Sequence, residues 1–252
     1  MKSKLFSIAL ISAMLSCDNV SPDRADSSLQ SGPVAASVLE KESKELGDYA
    51  LLMMRIVNAD LSTIRKNVIA RSIVTVANDI FSSLDEKKQF VVMIAIESKF
   101  NTGAKSTVGA LGLTQIMPQY AREFGTACGV KDLRDEDLIH PDVNLILGAC
   151  RFKALLDAFN GQPVPALVAY NAGLASNQLK QLQSLREITN TETASYVVKW
   201  AYVKGQADKQ TETRREKITI KIRSGGSKQS EKKENPGPQE GNKETQEPSP
   251  EG

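Results

Sequence analysis

Glu97 directly follows the apolar run Phe90-Val91-Val92-Met93-Ile94-Ala95-Ile96, which is greasy on every side and therefore reads as buried. A carboxylate in such company loses hydration, and its pKa is expected to rise from about 4.3 towards 6, as for the general-acid Glu of lysozyme. Such a group still holds a proton near neutral pH and can donate it to a leaving atom, which is general acid chemistry. Taken alone, an ordinary surface Glu closing a helix is the preferred reading.

The flanking residues decide the local structure. Val91, Val92, Ile94 and Ile96 would suit a strand, but Ser83-Leu84-Asp85-Glu86 is a capping box with acids in its first turn. Lys87, Lys88 and Gln89 carry helix propensity into the run, so a helix is predicted from about Ser83 to Ser98. Glu97 then sits in the last turn, where the helix dipole disfavours an anion and adds to the expected rise in pKa.

The residues that follow change the weighting. After Glu97-Ser98 come Ser106, a glycine-spaced turn at Gly109-Ala110-Leu111-Gly112, and Leu113-Thr114-Gln115-Ile116-Met117-Pro118. Further on stand Ala169-Tyr170-Asn171-Ala172-Gly173 and Glu192-Thr193-Ala194-Ser195-Tyr196-Val197. The order resembles the catalytic domain of lytic transglycosylases of the soluble (SLT) type, relatives of goose-type lysozymes. That family's motifs are Glu-Ser, Gly-Leu-Met-Gln-hydrophobic-Met-Pro, Ala-Tyr-Asn-Ala-Gly and Glu-Thr-x-x-Tyr-Val. The resemblance covers roughly Ser83 to Lys204, about half the chain. Thr114 stands where Met is usual, His140-Pro141 where Asp-Pro is common, and Arg151-Phe152 where Tyr-Leu is frequent. Thr114 is expected to alter the fit of a sugar ring.

The resemblance implies a mainly α, lysozyme-like (SLT/goose-type) helical domain with at most a small β element. It implies a peptidoglycan substrate, cleaved between N-acetylmuramic acid and N-acetylglucosamine without water to leave a 1,6-anhydro end. Glu97 would act as general acid and then as base, and no cofactor would be needed. Ser98, Ser106, Gln115, Tyr170, Asn171 and Tyr196 form the expected substrate-binding set. Ser106 and Gln115 would hold acetamido groups and the peptide stem, while the Gly109 and Gly112 turn would let backbone approach a sugar. Tyr170 would orient Glu97 or the muramoyl group, and Asn171 and Tyr196 would brace that arrangement. Core packing with a satisfied hydroxyl is the competing reading of Tyr196. Two alternatives stand beside this function: a lysozyme-type hydrolase on the same substrate, and a non-catalytic peptidoglycan-binding lipoprotein scaffold in an envelope machine.

The remaining chain must position or tether that site. Residues 1–16 carry Lys2 and Lys4 before an apolar stretch from Leu5 to Leu15, too short to span a membrane and patterned as a secretory signal. Ser16-Cys17 resembles a lipoprotein box in which Cys17 is acylated and anchors the protein to a membrane. Met14-Leu15-Ser16 departs from the usual box, which leaves ordinary cleavage nearby open. The expected location is the periplasmic face of a membrane in the cell envelope. Residues 17–37, rich in Ser, Asp, Pro and Gly, read as a flexible linker. Residues 38–82 show helical spacing of Leu46, Ala50, Met53, Met54, Val57 and Leu61, with a second helix opening near Asp60-Leu61-Ser62. These helices are expected to pack on the catalytic domain, residues 83–204, with the Met pair filling core.

Ala121 to Phe159 reads as a loop followed by a helix starting near Pro141, and a further helix opens at Pro165. Asp132, Asp135, Glu136 and Asp137 read as a solvated acidic patch rather than metal ligands, since Lys131 and Arg134 interleave. No metal is expected. With Cys17 acylated, Cys128 and Cys150 remain as a pair that an oxidising compartment would join, two separately buried thiols being the alternative. A single His, His140, gives no support to a Ser-His-Asp triad or a His-rich zinc site. The 252 residues carry a net charge of +2, which points to no nucleic-acid partner. Residues 205–252 read as a polar, largely disordered tail in which Lys217 to Arg223 alternates as a short strand would.

Overall fold

The computed structural model describes residues 33–184 and 190–226. Its helices are α1 (Pro33–Val57), α2 (Thr63–Ile80), α3 (Leu84–Ser98), α4 (Pro118–Phe124), α5 (Pro141–Ala158), α6 (Pro163–Ala172), α7 (Asn177–Gln183) and α8 (Thr191–Gly226). Short 3-10 turns lie at Thr126–Cys128 and Asp135–Ile139. One compact unit ends at Thr211 and a second begins at Glu212.

Capping explains where α3 begins. The Ser83 side chain accepts from the Glu86 backbone N–H while the Glu86 carboxylate accepts from the Ser83 N–H, so both ends of the predicted capping box are made. The run behind it is buried on every face: Phe90, Val91, Val92, Met93 and Ile94 have no exposed surface. α3 is therefore the central rod of the molecule, and Glu97 rides on its final turn.

α1 and α2 pack into the same core. Leu46, Ala50, Met53 and Met54 from α1 meet Ile73 and Ala77 from α2 and the α3 run in a single apolar cluster. Full burial of each such Met or Ile contributes about 1.5–3 kcal/mol, so these helices are structural parts of the domain rather than appendages. Lys88 of α3 adds an ion pair to Glu45 at 2.6 Å. A relay of rings, Phe81 to Phe90 at 5.2 Å, Phe81 to Phe152 at 6.4 Å and Phe152 to Tyr170 at 6.2 Å, links the end of α2 through α3 and α5 to α6.

Backbone bridges Lys105 with Leu111 and Leu111 with Ile116 form a small β element between α3 and α4, and the described residues contain no longer strand. No helix among the described residues is long and apolar enough to cross a membrane.

Three sequence expectations change. The C-terminal end of the proposed linker is helical, because α1 starts at Pro33, a residue suited to the first turn. The polar tail and its short strand give way to helix: α8 continues through Gly226, and Val203 and Ala207 lie in the core. Alternating Ile218, Ile220 and Ile222 has the period of a strand, but a helix already nucleated upstream adds residues at small cost, and β-branching opposes that only weakly. α6 begins at Pro163, two residues before the expected start. Residues 1–16, Cys17, most of the linker and residues 227–252 lie outside the described residues.

Candidate active site

Glu97 lies where α3 stops. The helix ends on Lys99, at φ 51°, followed by Phe100 at φ 61°, so two consecutive non-glycine residues take the left-handed conformation immediately after the Glu97-Ser98 pair. Phe100 is fully buried and the Asn58 side chain donates to the Lys99 carbonyl at 3.0 Å, contacts that hold this strained turn. Glu97 is half-buried, with its carboxyl crowded by protein.

The Tyr196 hydroxyl donates to Glu97 Oε1 at 2.6 Å. Burial pushes the Glu97 carboxyl up to about 7, against the opposing pull of the Tyr196 hydrogen bond and the Arg151 charge, both of which favour the carboxylate. Near neutrality the group is thus divided between acid and base forms. Burial, followed by the charge of Glu97, pushes the Tyr196 phenol far above its ordinary range, so it remains a donor.

Tyr170 takes a different part. Its hydroxyl donates to the Thr114 carbonyl at 2.8 Å, tying α6 to the Gly112–Ile116 turn. Arg151 covers the Tyr170 ring, with Cζ 4.4 Å from the centroid, and donates to the Tyr170 carbonyl at 2.8 Å. Tyr196 is thus the tyrosine whose hydroxyl bonds Glu97, while the Tyr170 hydroxyl bonds the Thr114 carbonyl.

Gln115 adopts φ 50°, rare for a residue with a side chain, and its amide Nε2 donates to the Gly112 carbonyl at 2.9 Å and the Ala104 carbonyl at 3.3 Å. Ser106 Oγ accepts from the Ala110 N–H at 2.9 Å within the same small β element. Asn171 accepts from the Thr193 hydroxyl at 3.1 Å, linking the third motif to the fourth. Ser98 is buried, and its hydroxyl donates one turn back to the Ile94 carbonyl at 3.3 Å. That bond is internal to α3. Among the described residues the hydrogen bond to Glu97 comes from Tyr196, and Ser106, Gln115, Tyr170 and Asn171 serve their own local networks.

At the turn the Thr114 expectation does not hold, and the two glycines differ. Thr114 is fully buried, its hydroxyl 2.8 Å from Asn144 Oδ1, so it packs against α5 instead of shaping a sugar site. Gly112, at φ 76°, makes its close approach to protein: a Cβ there would lie 2.3 Å from Asn144 Nδ2 and 2.4 Å from the Leu138 carbonyl. Gly109, at φ 92°, has nothing within 4 Å of such a Cβ and stays open.

Residues 83–193 match the family model described as the transglycosylase SLT domain. Over 102 residues the chain is 33% identical to the soluble lytic murein transglycosylase of Salmonella typhimurium, covering 38% of this chain and 16% of that protein. Residues 83–193 are an SLT domain. A peptidoglycan transglycosylase of Escherichia phage T7 is 34% identical over 77 residues, 31% of this chain and 6% of the phage protein. The chain thus spans a small fraction of the length of these relatives. The solved 70 kDa soluble lytic transglycosylase of Escherichia coli superposes with a TM-score of 0.50 at 19% identity, covering 68% of this chain and 31% of that one, which supports the helical fold. An inactive mutant of lytic transglycosylase Slt from Pseudomonas aeruginosa gives a TM-score of 0.45 at 31% identity over 54% of this chain and 24% of that one.

Sequence reasoning missed Asn144 as the keystone of this SLT domain. Fully buried in the first turn of α5, it accepts from Thr114 N at 2.8 Å and donates to the carbonyls of Leu111 at 2.9 Å and Leu138 at 2.8 Å. The available signal was a polar amide on the inner face of an otherwise apolar helix, next to Leu145. In the sequence Arg151 stands out only as a departure from a usual Tyr. Cys128 and Cys150 form a disulfide that joins the Thr126–Cys128 turn to α5, one residue before Arg151. The acidic patch is solvated and paired: Asp135 with Arg122, and Glu136 and Asp137 with Arg134. Among the described residues no group of His, Cys, Asp and Glu is placed to hold a metal.

Proposed function

We propose that this chain is a peptidoglycan lytic transglycosylase that cleaves the β-1,4 bond between N-acetylmuramic acid and N-acetylglucosamine, with Glu97 as the catalytic carboxyl. The observation that carries the reading is the half-buried Glu97, bound by Tyr196 at 2.6 Å, its carboxyl pushed up to about 7 by burial.

In the first half of the reaction the protonated Glu97 gives its proton to the glycosidic oxygen as the C1–O bond breaks and positive charge develops at C1. Glu97 is then a carboxylate. In the second half it accepts the proton of the C6 hydroxyl of the muramic sugar while that oxygen bonds to C1. Glu97 regains its proton, the product carries a 1,6-anhydro ring, and no water is consumed. One carboxyl suffices because the substrate supplies the nucleophile, and among the described residues the groups that act on Glu97, Tyr196 and Arg151, include no second carboxylate.

The Gln115 turn and the Asn171–Thr193 pair would border the sugar and peptide groups, with Ser106 fixing the turn. Residues 83–204 would form the catalytic domain and residues 38–82 its packed support. Export, with Cys17 acylated to hold the enzyme at the periplasmic face of a membrane, completes the reading.

Product analysis decides the matter. Purified protein incubated with sacculi should release muropeptides with anhydro ends by mass spectrometry, and Glu97→Gln should lower that rate at least about 10²- to 10⁴-fold. Reducing ends would instead indicate a hydrolase, and binding to sacculi without release a scaffold.

A further inference from the structure

The 2.6 Å bond from Tyr196 to Glu97 joins the start of α8 to the last turn of α3, so its length is only as well defined as the placement of those two helices. Trp200, Val203 and Ala207 seat α8 in the core, but apolar burial is non-directional and does not by itself fix a helix along its axis. Directional contacts do, and two of them come from α1 and the residue after it, outside the 83–193 segment that matches the family model. At one end, the Asn58 N–H is bonded to the carbonyl of the fully buried Met54 at 2.9 Å. The Asn58 side chain donates to the Lys99 carbonyl at 3.0 Å, two residues past Glu97 in the left-handed turn that closes α3. Carbonyls at a helix end lack an intrahelical partner, and Asn58 supplies one. At the other end, the hydroxyl of the buried Tyr49 donates to Asp208 Oδ1 on α8 at 3.2 Å, and Lys204 holds Asp208 Oδ2 at 2.7 Å. Lys88 of α3, paired with Glu45, lies over the Tyr49 ring at 5.4 Å from its centroid, so the same side chain meets both helices.

We propose that α1 is the template that sets the separation of Glu97 from Tyr196, with Asn58 and Tyr49 as positioning residues: Asn58 fixes where α3 ends, and Tyr49, through Asp208, fixes the register of α8. This rests on the acid–base role proposed for Glu97. A hydrogen bond weakens steeply as its length and angle depart from the optimum, and a misplacement of about 1 Å at a reacting centre can cost on the order of 10²-fold in rate. The N-terminal helix thereby takes part in catalysis without touching the substrate.

Two readouts test this. Release of anhydro-muropeptides from sacculi gives kcat and KM for Asn58→Ala, Tyr49→Phe and Asp208→Ala, each alone and combined with Tyr196→Phe. Tyr49→Phe keeps the buried ring, and Asp208→Ala breaks the same bond from a part-exposed position, so a folded protein is available even if one variant fails by circular dichroism. Each single change should lower kcat about three- to tenfold with KM nearly unchanged, and should lose most of that effect once Tyr196→Phe has removed the contact. Ile73→Val, which loosens the same core without touching either bond, should leave kcat as in wild type. Losses that persist in full in the Tyr196→Phe background, or an equal loss in Ile73→Val, overturn the proposal. The second readout needs no turnover: the Tyr196 ¹³Cζ NMR resonance, assigned by its loss in Tyr196→Phe and recorded on the alkaline side of the Glu97 midpoint. In each variant it should move towards its position in Glu97→Gln, where the acceptor is uncharged, and an unmoved resonance sinks the template whatever the products are. Absence of anhydro products from wild type, with the resonance moving as expected, overturns the lyase reading and leaves the positioning role standing.

Discussion

The Tyr196 hydroxyl reaches Glu97 Oε1 at 2.6 Å across 99 residues of sequence, joining the start of α8 to the end of α3. A phenol that donates to a carboxylate stabilises the charged form, and here it opposes burial. Removing it in Tyr196→Phe should therefore raise the Glu97 pKa above about 7 and carry the alkaline limb of kcat/KM upward. A hydrogen bond to a charged group is worth about 1.5–3 kcal/mol, so kcat should fall about tenfold to a hundredfold. A pH profile and kcat unchanged from wild type would show that this contact has no part in turnover.

Glu97 also sets a pH dependence of stability. Its carboxyl titrates at about 7 in the folded protein against 4.5 when exposed, so the folded state binds the proton more tightly. Below the unfolded value both states are protonated and the site costs nothing. As pH rises from 4.5 through 7 the unfolded state ionises first, and stability is lost across that window. Glu97→Gln removes the titration and should raise stability above pH 7 by on the order of 2–3 kcal/mol relative to wild type, with no such gain near pH 4. Urea melts at both pH values check this, and an equal difference at the two would sink it.

How much of this could be read beforehand follows from the range of the physics involved. The α3 cap, the burial of its core run and the upward push that burial gives Glu97 were legible from Ser83 to Glu97, whereas the opposing pulls of Tyr196 and Arg151 come from distant parts of the chain. The division of labour between Tyr170 and Tyr196 was not, because it is settled by which helix faces which across long separations. Thr114 misled for the same reason. Its neighbours in sequence line a motif, but its side chain turns to Asn144 and Gly148 on α5. The Ile218 to Ile222 alternation misled differently, since a period of two says nothing about a helix propagating in from Thr191.

Two helical glycines should respond with opposite signs to the same substitution. Gly205 in α8 has nothing within 4 Å of an added Cβ, so Gly205→Ala should stabilise by about 0.5–1 kcal/mol through backbone propensity. A Cβ on Gly148 would lie 2.4 Å from Thr114 Cβ, inside the network that holds the turn. Gly148→Ala should instead destabilise, by about 1–3 kcal/mol, and slow turnover because Tyr170 and Gln115 depend on that turn. Thermal melts of the two variants beside wild type test this, and a Gly148→Ala protein as stable as Gly205→Ala would show that Thr114 does not need the gap.

Disulfide reduction should act through the unfolded chain. Cys128 and Cys150 are separated by 22 residues, and closing a loop of that length stabilises by about 3 kcal/mol in the chain-entropy account. The loop contains the Asp135–Ile139 turn, whose Leu138 carbonyl accepts from Asn144, and it ends beside Arg151. Cys128→Ser with Cys150→Ser should therefore lower the urea midpoint, and reductant should reproduce that shift in wild type but leave the double variant unmoved. Because both Asn144 and Arg151 are also held by bonds outside the loop, the folded variant should keep its Glu97 midpoint near that of wild type. A drop in stability accompanied by a moved Glu97 titration would instead make the disulfide part of the machinery that holds Arg151 in register.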